Sequence, residues 1–178
     1  MKNMSNKVNI LKKIKSAQWV SIYQDNPDKF NYGRILACND TDTAVILASP
    51  EGKYDGLLMI ETDSITHIEY GGGYSTRMSR LIDEAGINAH APDFKDEDIR
   101  SQMLRLSKDT QRVVSIEILD SGYDDVTGIV RSIDGDCVSV NIFDTYGFPD
   151  GTALISMEDI TQISLGGDRE STIQRLIK

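Results

Sequence analysis

Residues able to bind metal or move protons are the first to examine in this 178-residue chain, and they do not converge. His67 and His90 are the two histidines. Neither has the neighbouring nucleophile, carboxylate or cysteine pattern that makes an imidazole a general base or a zinc ligand. His67 reads as a solvated strand residue and His90 as a linker residue. Cys38 and Cys137 lie far apart, without zinc or redox spacing, and read as buried free thiols. Asp124, Asp125, Asp134, Asp136, Asp144 and Asp150 are spread over separate turns and lack the order of a calcium loop, so they read as turn formers. Gly71-Gly72-Gly73 is not followed by the Lys-Ser/Thr of a phosphate loop. These residues imply no enzyme, no metal and no cofactor, and no small-molecule substrate is expected.

Charge narrows the class of partner. The net charge of −9 argues against general affinity for polyanions, which is built on neutralised phosphates. The distribution is uneven. Residues 91–178 carry 17 acids against nine bases, while the first 24 residues hold five lysines and no acid. Lys7, Lys12, Lys13 and Lys15 are therefore candidate contacts for RNA or an acidic partner. Aromatic residues crowd the first half (Trp19, Tyr23, Phe30, Tyr32, Tyr54, Tyr70 and Tyr74), with Tyr32 and Tyr54 as candidates for stacking. No run approaches the roughly 18 apolar residues of a membrane span, and the start lacks a secretory pattern. A cytoplasmic protein without membrane contact is expected.

The positioning elements come in two sets. Shifted by 95 positions, Gly33 falls on Gly128, Gly52 on Gly147, Asp55-Gly56 on Asp150-Gly151, and Ile65, Thr66 and Ile68 on Ile160, Thr161 and Ile163. The match continues from Gly71-Gly72 to Gly166-Gly167 and from Arg80-Leu81-Ile82 to Arg175-Leu176-Ile177. Upstream of Gly33 the shift is 94, pairing Val20-Ser21-Ile22 with Val114-Ser115-Ile116. Such self-similarity is the signature of a duplicated unit.

Each set reads as about five short strands. Val114, Ile116 and Ile118 alternate with Ser115 and Glu117, as do Val138, Val140 and Ile142 with Ser139 and Asn141, the period of a half-buried strand. Asn39-Asp40 and Asp134-Gly135 read as tight turns, and Glu51–Gly56 and Gly147–Gly151 as longer ones. Ile10, Leu11, Ile14 and Ala17, after a Ser5 or Asn6 cap, predict a leading helix, and Ile99, Met103, Leu104 and Leu106 a second one. Thr76–Ile82 and Ser171–Ile177 predict short closing helices. The expected organisation is residues 1–83 as a first small barrel with its helix, 84–97 as a linker and 98–178 as a second.

The pattern Gly128-x-Val130-x-x-Ile133-Asp134, followed by Ile155-x4-Ile160-x-x-Ile163, resembles the Sm and Sm-like small-barrel family. The resemblance implies a mainly β chain with short helices, built as two tandem five-stranded SH3-like barrels. It also implies assembly through the fourth and fifth strands and RNA contacts from two loops. The RNA signatures of the family are replaced here: Asp42 and Cys137 stand nearest the loop asparagine, and Glu61-Thr62 and Ser156-Met157 replace Arg-Gly.

The function expected from the sequence is a non-catalytic interaction or assembly protein that forms homo-oligomers. Its strand-edge interface would involve Leu57, Met59, His67, Thr152, Leu154 and Gln162. The alternative is an RNA-binding or regulatory factor using the basic first helix and the aromatic residues of the first set.

Overall fold

The computed structural model describes residues 4–14, 18–24 and 28–177. Contacts divide the chain into two compact units, 1–99 and 100–178. Lys15 and Ala17 lie outside the described residues.

In the first unit a helix α1 (Met4–Ile14) precedes strands β1 (Val20–Tyr23), β2 (Phe30–Cys38), β3 (Asp42–Ala48), β4 (Tyr54–Glu61) and β5 (His67–Glu69). Two short helices follow, α2 (Gly73–Met78) and α3 (Glu84–Asn88). The second unit has α4 (Ile99–Thr110), β6 (Val114–Ile118), β7 (Val126–Asp134), β8 (Cys137–Phe143), β9 (Pro149–Ser156), β10 (Ile160–Leu165) and α5 (Asp168–Leu176). The closing helices thus start directly after their glycine pairs, three residues earlier than Thr76 and Ser171.

The fold is mainly β, but the expected pair of closed five-stranded barrels is not what forms. The five strands of each unit form an open antiparallel sheet, in the order β5-β1-β2-β3-β4 in the first unit and β10-β6-β7-β8-β9 in the second. Among the described residues the fifth strand of each unit pairs with the first but not with the fourth, so the ring of strands stays open between the fourth and the fifth. A single 3-10 turn, Thr62–Ser64, delivers the chain from β4 to β5, whose three residues pair with β1 as Ser21↔Glu69, Ile22↔Ile68 and Tyr23↔His67. β10 is likewise paired with β6, from Leu165↔Val114 to Ile160↔Ile118.

Alternation along the strands assigns the faces. Val20 and Ile22 of β1, Ile35 of β2, Val45 of β3 and Leu58 and Ile60 of β4 join a buried cluster with Val8 and Leu11 of α1. Helical spacing puts Val8 and Leu11 on one side of α1 with partly buried Ile14, whereas Ile10 points to water. In the second unit Val114, Ile116, Val130, Val138, Val140, Ile160 and Ile163 are buried, as are Met103 and Leu104 of α4.

Matching irregularities bend the strands of both units. The β2/β3 register slips between Ile35 and Ala37, and the β7/β8 register between Val130 and Ser132. β4 slips against Ile46/Ala48, and β9 against Asn141/Phe143, where Gly56 and Gly151 adopt positive φ. An extra residue at each place strengthens local twist. Cys38 is buried, as expected, but Cys137, at the start of β8, is exposed.

Residues 84–97 carry structure despite their polar composition. Asp83 caps α3 by accepting from the Gly86 amide at 3.0 Å, and Ile87 and Phe94 are buried. Asp96 accepts from the Cys38 amide at 3.2 Å, and its carbonyl accepts from Asn39 Nδ2 at 2.8 Å. The segment is therefore tied to the β2–β3 turn.

Two glycines test how tightly the strands approach. A Cβ at Gly128 would stand 2.0 Å from the Asn141 carbonyl oxygen, whereas one at Gly73 would meet nothing within 4 Å. Gly128→Ala is expected to lower the unfolding free energy by roughly 1–3 kcal/mol. Gly73→Ala should leave stability unchanged or raise it by less than about 1 kcal/mol. Chemical denaturation of the two variants checks both.

Candidate functional site

Strand register assembles an aromatic row on the face of the first unit opposite its core. Tyr23 lies directly across from Phe30 on one side and from His67 on the other, so the three rings share one face. The two-residue period adds Ser21 of β1 and Trp19 just before it, and Tyr32 and Arg34 along β2. Tyr74 of α2 reaches the row from above it. The rings are in contact throughout: His67–Tyr23 stacked at 4.1 Å, Tyr23–Phe30 at 5.3 Å, Phe30–Tyr74 edge-on at 5.0 Å, Tyr74–Tyr32 edge-on at 5.1 Å and Tyr32–Trp19 stacked at 6.1 Å.

A polar clasp ends the row. Arg34 lies 5.5 Å from the centre of the Trp19 ring and donates to Glu84 at 3.0 Å and to Asn88 at 2.5 Å. The indole N–H of Trp19 donates to the other Glu84 oxygen at 3.2 Å. α3 therefore supplies the groups that fix both the guanidinium and the indole. Beside them Gln18, Trp19, Tyr32, Ser75, Thr76 and Ser79 line an open cleft of about 540 Å3.

The environment raises two phenol pKa values. Burial lifts that of Tyr32, with Tyr74 adding and a hydrogen bond from Ser75 opposing. Tyr23 is lifted by desolvation first, then by its hydrogen bond and charge interaction with Glu69, whose carboxylate accepts from the hydroxyl at 3.1 Å.

Two of the four basic residues singled out in the sequence are engaged within the unit. Lys7 donates to the carbonyls of Thr62 and Asp63 at 3.1 and 3.2 Å and lies 3.9 Å from the Asp63 carboxylate. Lys12 pairs with Asp96 at 3.5 Å. Lys13 is exposed, and Lys15 lies outside the described residues. Tyr32 is 6% exposed, held between Trp19 and Tyr74. Tyr54 stacks on His90 at 4.3 Å, away from the row.

The strand-edge residues divide into two groups. Leu57 and Met59 of β4 are buried, and Gln162 of β10 is half-buried opposite Glu117. His67 is exposed on β5, which ends the strand order of the first unit. Thr152 and Leu154 are exposed on β9, which ends that of the second unit; Leu154 is 80% exposed. Just before β9, the turn around Gly147 projects Tyr146, 73% exposed, and Phe148, 62% exposed. Sequence reasoning missed this pair, and it missed Arg34, Glu84 and Asn88. Two aromatic residues flanking a turn glycine were the available signal for the first set; the second is visible only through the fold.

No family model, curated protein or solved structure matches the chain. The Sm-like resemblance rests on the residues alone.

Both phenols favour the protonated form in the folded state. Their contribution to stability is complete below the ordinary tyrosine value of 10.0 and is lost as pH climbs through the higher folded values. In an ultraviolet titration Tyr32→Phe and Tyr23→Phe should each remove one late-titrating phenol.

Proposed function

We propose that this chain is a non-catalytic assembly protein, made of two copies of one module, that self-associates through β9. The observation that carries this reading is an eight-residue strand at the end of the second unit's order, bearing Leu154 at 80% exposure and entered through a turn that exposes Tyr146 and Phe148. A strand edge offers a row of backbone donors and acceptors, and adjoining apolar side chains add burial once it is covered. In the first unit the terminal strand β5 has three residues and carries His67 and Glu69, a short and polar edge that discourages pairing.

A second copy is the natural occupant. β9 can meet its counterpart antiparallel across a two-fold axis, continuing the antiparallel sheet with Leu154 of each copy near the seam. RNA binding draws less support, because Lys7 and Lys12 already face Asp63 and Asp96 and Tyr32 is covered.

Light scattering across a concentration series tests the proposal. A concentration-dependent dimer is expected, with Leu154→Lys weakening it at least about tenfold, or roughly 1.4 kcal/mol. A wild-type protein that stays monomeric at about 100 µM, where any dissociation constant in the micromolar range would show as dimer, refutes it.

A further inference from the structure

Clefts occupy matching places in the two units, between the approach to the first strand and the helix that follows the fifth. The residues correspond through the 94- and 95-position shifts: Gln18 with Arg112, Trp19 with Val113, Ser75 with Glu170, Thr76 with Ser171 and Ser79 with Gln174. The second cleft encloses about 470 Å3. The first unit forms its cleft with glutamine and serine, so the fold does not require an acid and a base at these places.

Glu170 is 5% exposed. Ser115 Oγ donates to its carboxylate at 2.5 Å and lies 3.4 Å from Thr127 Oγ1. Its place in the first turn of α5 favours negative charge. Among the described residues no Lys, Arg or His lies within 4.0 Å of it. Arg112 lines the same cleft and likewise has no carboxylate within that distance. A buried carboxylate is costly unless paired. The wall that holds the two groups is braced by Gln174, which accepts from the Val113 amide at 2.7 Å and donates to the Gln111 carbonyl at 3.3 Å.

We propose that the cleft of the second unit binds a free α-amino acid as its zwitterion. The ammonium group meets Glu170, and the carboxylate meets Arg112 in a charge-assisted, fork-shaped contact. A simple cation would be repelled by Arg112 and by Arg175, which also lines the cleft, and a simple anion by Glu170. A zwitterion satisfies both, and the volume falls within the range of small-ligand sites.

Calorimetric titration of the full chain with glycine, L-alanine and L-leucine tests this, using N-acetyl-L-leucine and L-leucinamide to remove one charge at a time. At least one free amino acid should bind with a dissociation constant below about 1 mM. The corresponding blocked compounds, Glu170→Gln and Arg112→Gln should each weaken binding at least about tenfold. Arg112→Gln installs the residue of the matching first-unit position, so it reports on the site even where Glu170→Gln disturbs folding. Absence of heat from all three amino acids up to about 10 mM, a range that reaches millimolar affinities, overturns the proposal. Binding that Arg112→Gln leaves unchanged does so equally.

Discussion

The close passage of the second strand of each unit against the third is the constraint on which the other features depend. At Gly33 a Cβ would stand 2.6 Å from the Ile46 carbonyl oxygen, and at Gly128 it would stand 2.0 Å from that of Asn141. Only a residue without a side chain lets the backbones approach so closely. Gly33 lies opposite both Val20 of β1 and Leu47 of β3, and Gly128 opposite Val114 and Ile142, so each glycine sits where three strands meet. Fixing the pairing there fixes it outward. A slip of one residue would exchange the faces of every side chain on the strand.

That register gives the first unit two different surfaces from one set of strands. Val20 and Ile22 face the core with α1, while Trp19, Ser21 and Tyr23 face α2 and the aromatic row. Burying one side and stacking rings on the other are therefore a single structural event. The clasp of Arg34, Glu84 and Trp19 adds orientation at the end of the row. Arg34 is mostly covered while Glu84 is half exposed, which gives the pair more than an ordinary surface contact but less than a dry one.

Local features were legible because they depend on local chemistry. Alternation along residues 114–118 and 138–142, the turns at Asn39-Asp40 and Asp134-Gly135, and the helical spacing of Ile99, Met103 and Leu104 each reflect a few neighbouring side chains. Closure was not legible, since it depends on which strand pairs with the fifth, and His67–Glu69 reads equally well beside several partners. The segment 84–97 looked like a linker because its acids outnumber its apolar residues. Ile87 and Phe94 are nevertheless enough to dock it, with Asp96 bound to the β2–β3 turn. The aromatic residues could be counted in the sequence, but their contacts require the Tyr23↔Phe30 and Tyr23↔His67 registers.

The fate of the lysines carries the argument about partners furthest. Lys7 and Lys12 make exposed or half-exposed pairs with Asp63 and Asp96, which contribute little stability individually. Their larger effect is electrostatic: each carboxylate cancels positive potential that would otherwise draw phosphates to α1. Pairing two of its lysines lowers the positive potential of α1 at those two places. The proposed contact strand β9 and the turn before it expose apolar groups instead, at Tyr146, Phe148 and Leu154. Burial of apolar area is non-directional and less sensitive to salt than charge pairing, so the proposed self-association through β9 would persist at salt concentrations that weaken binding to a polyanion.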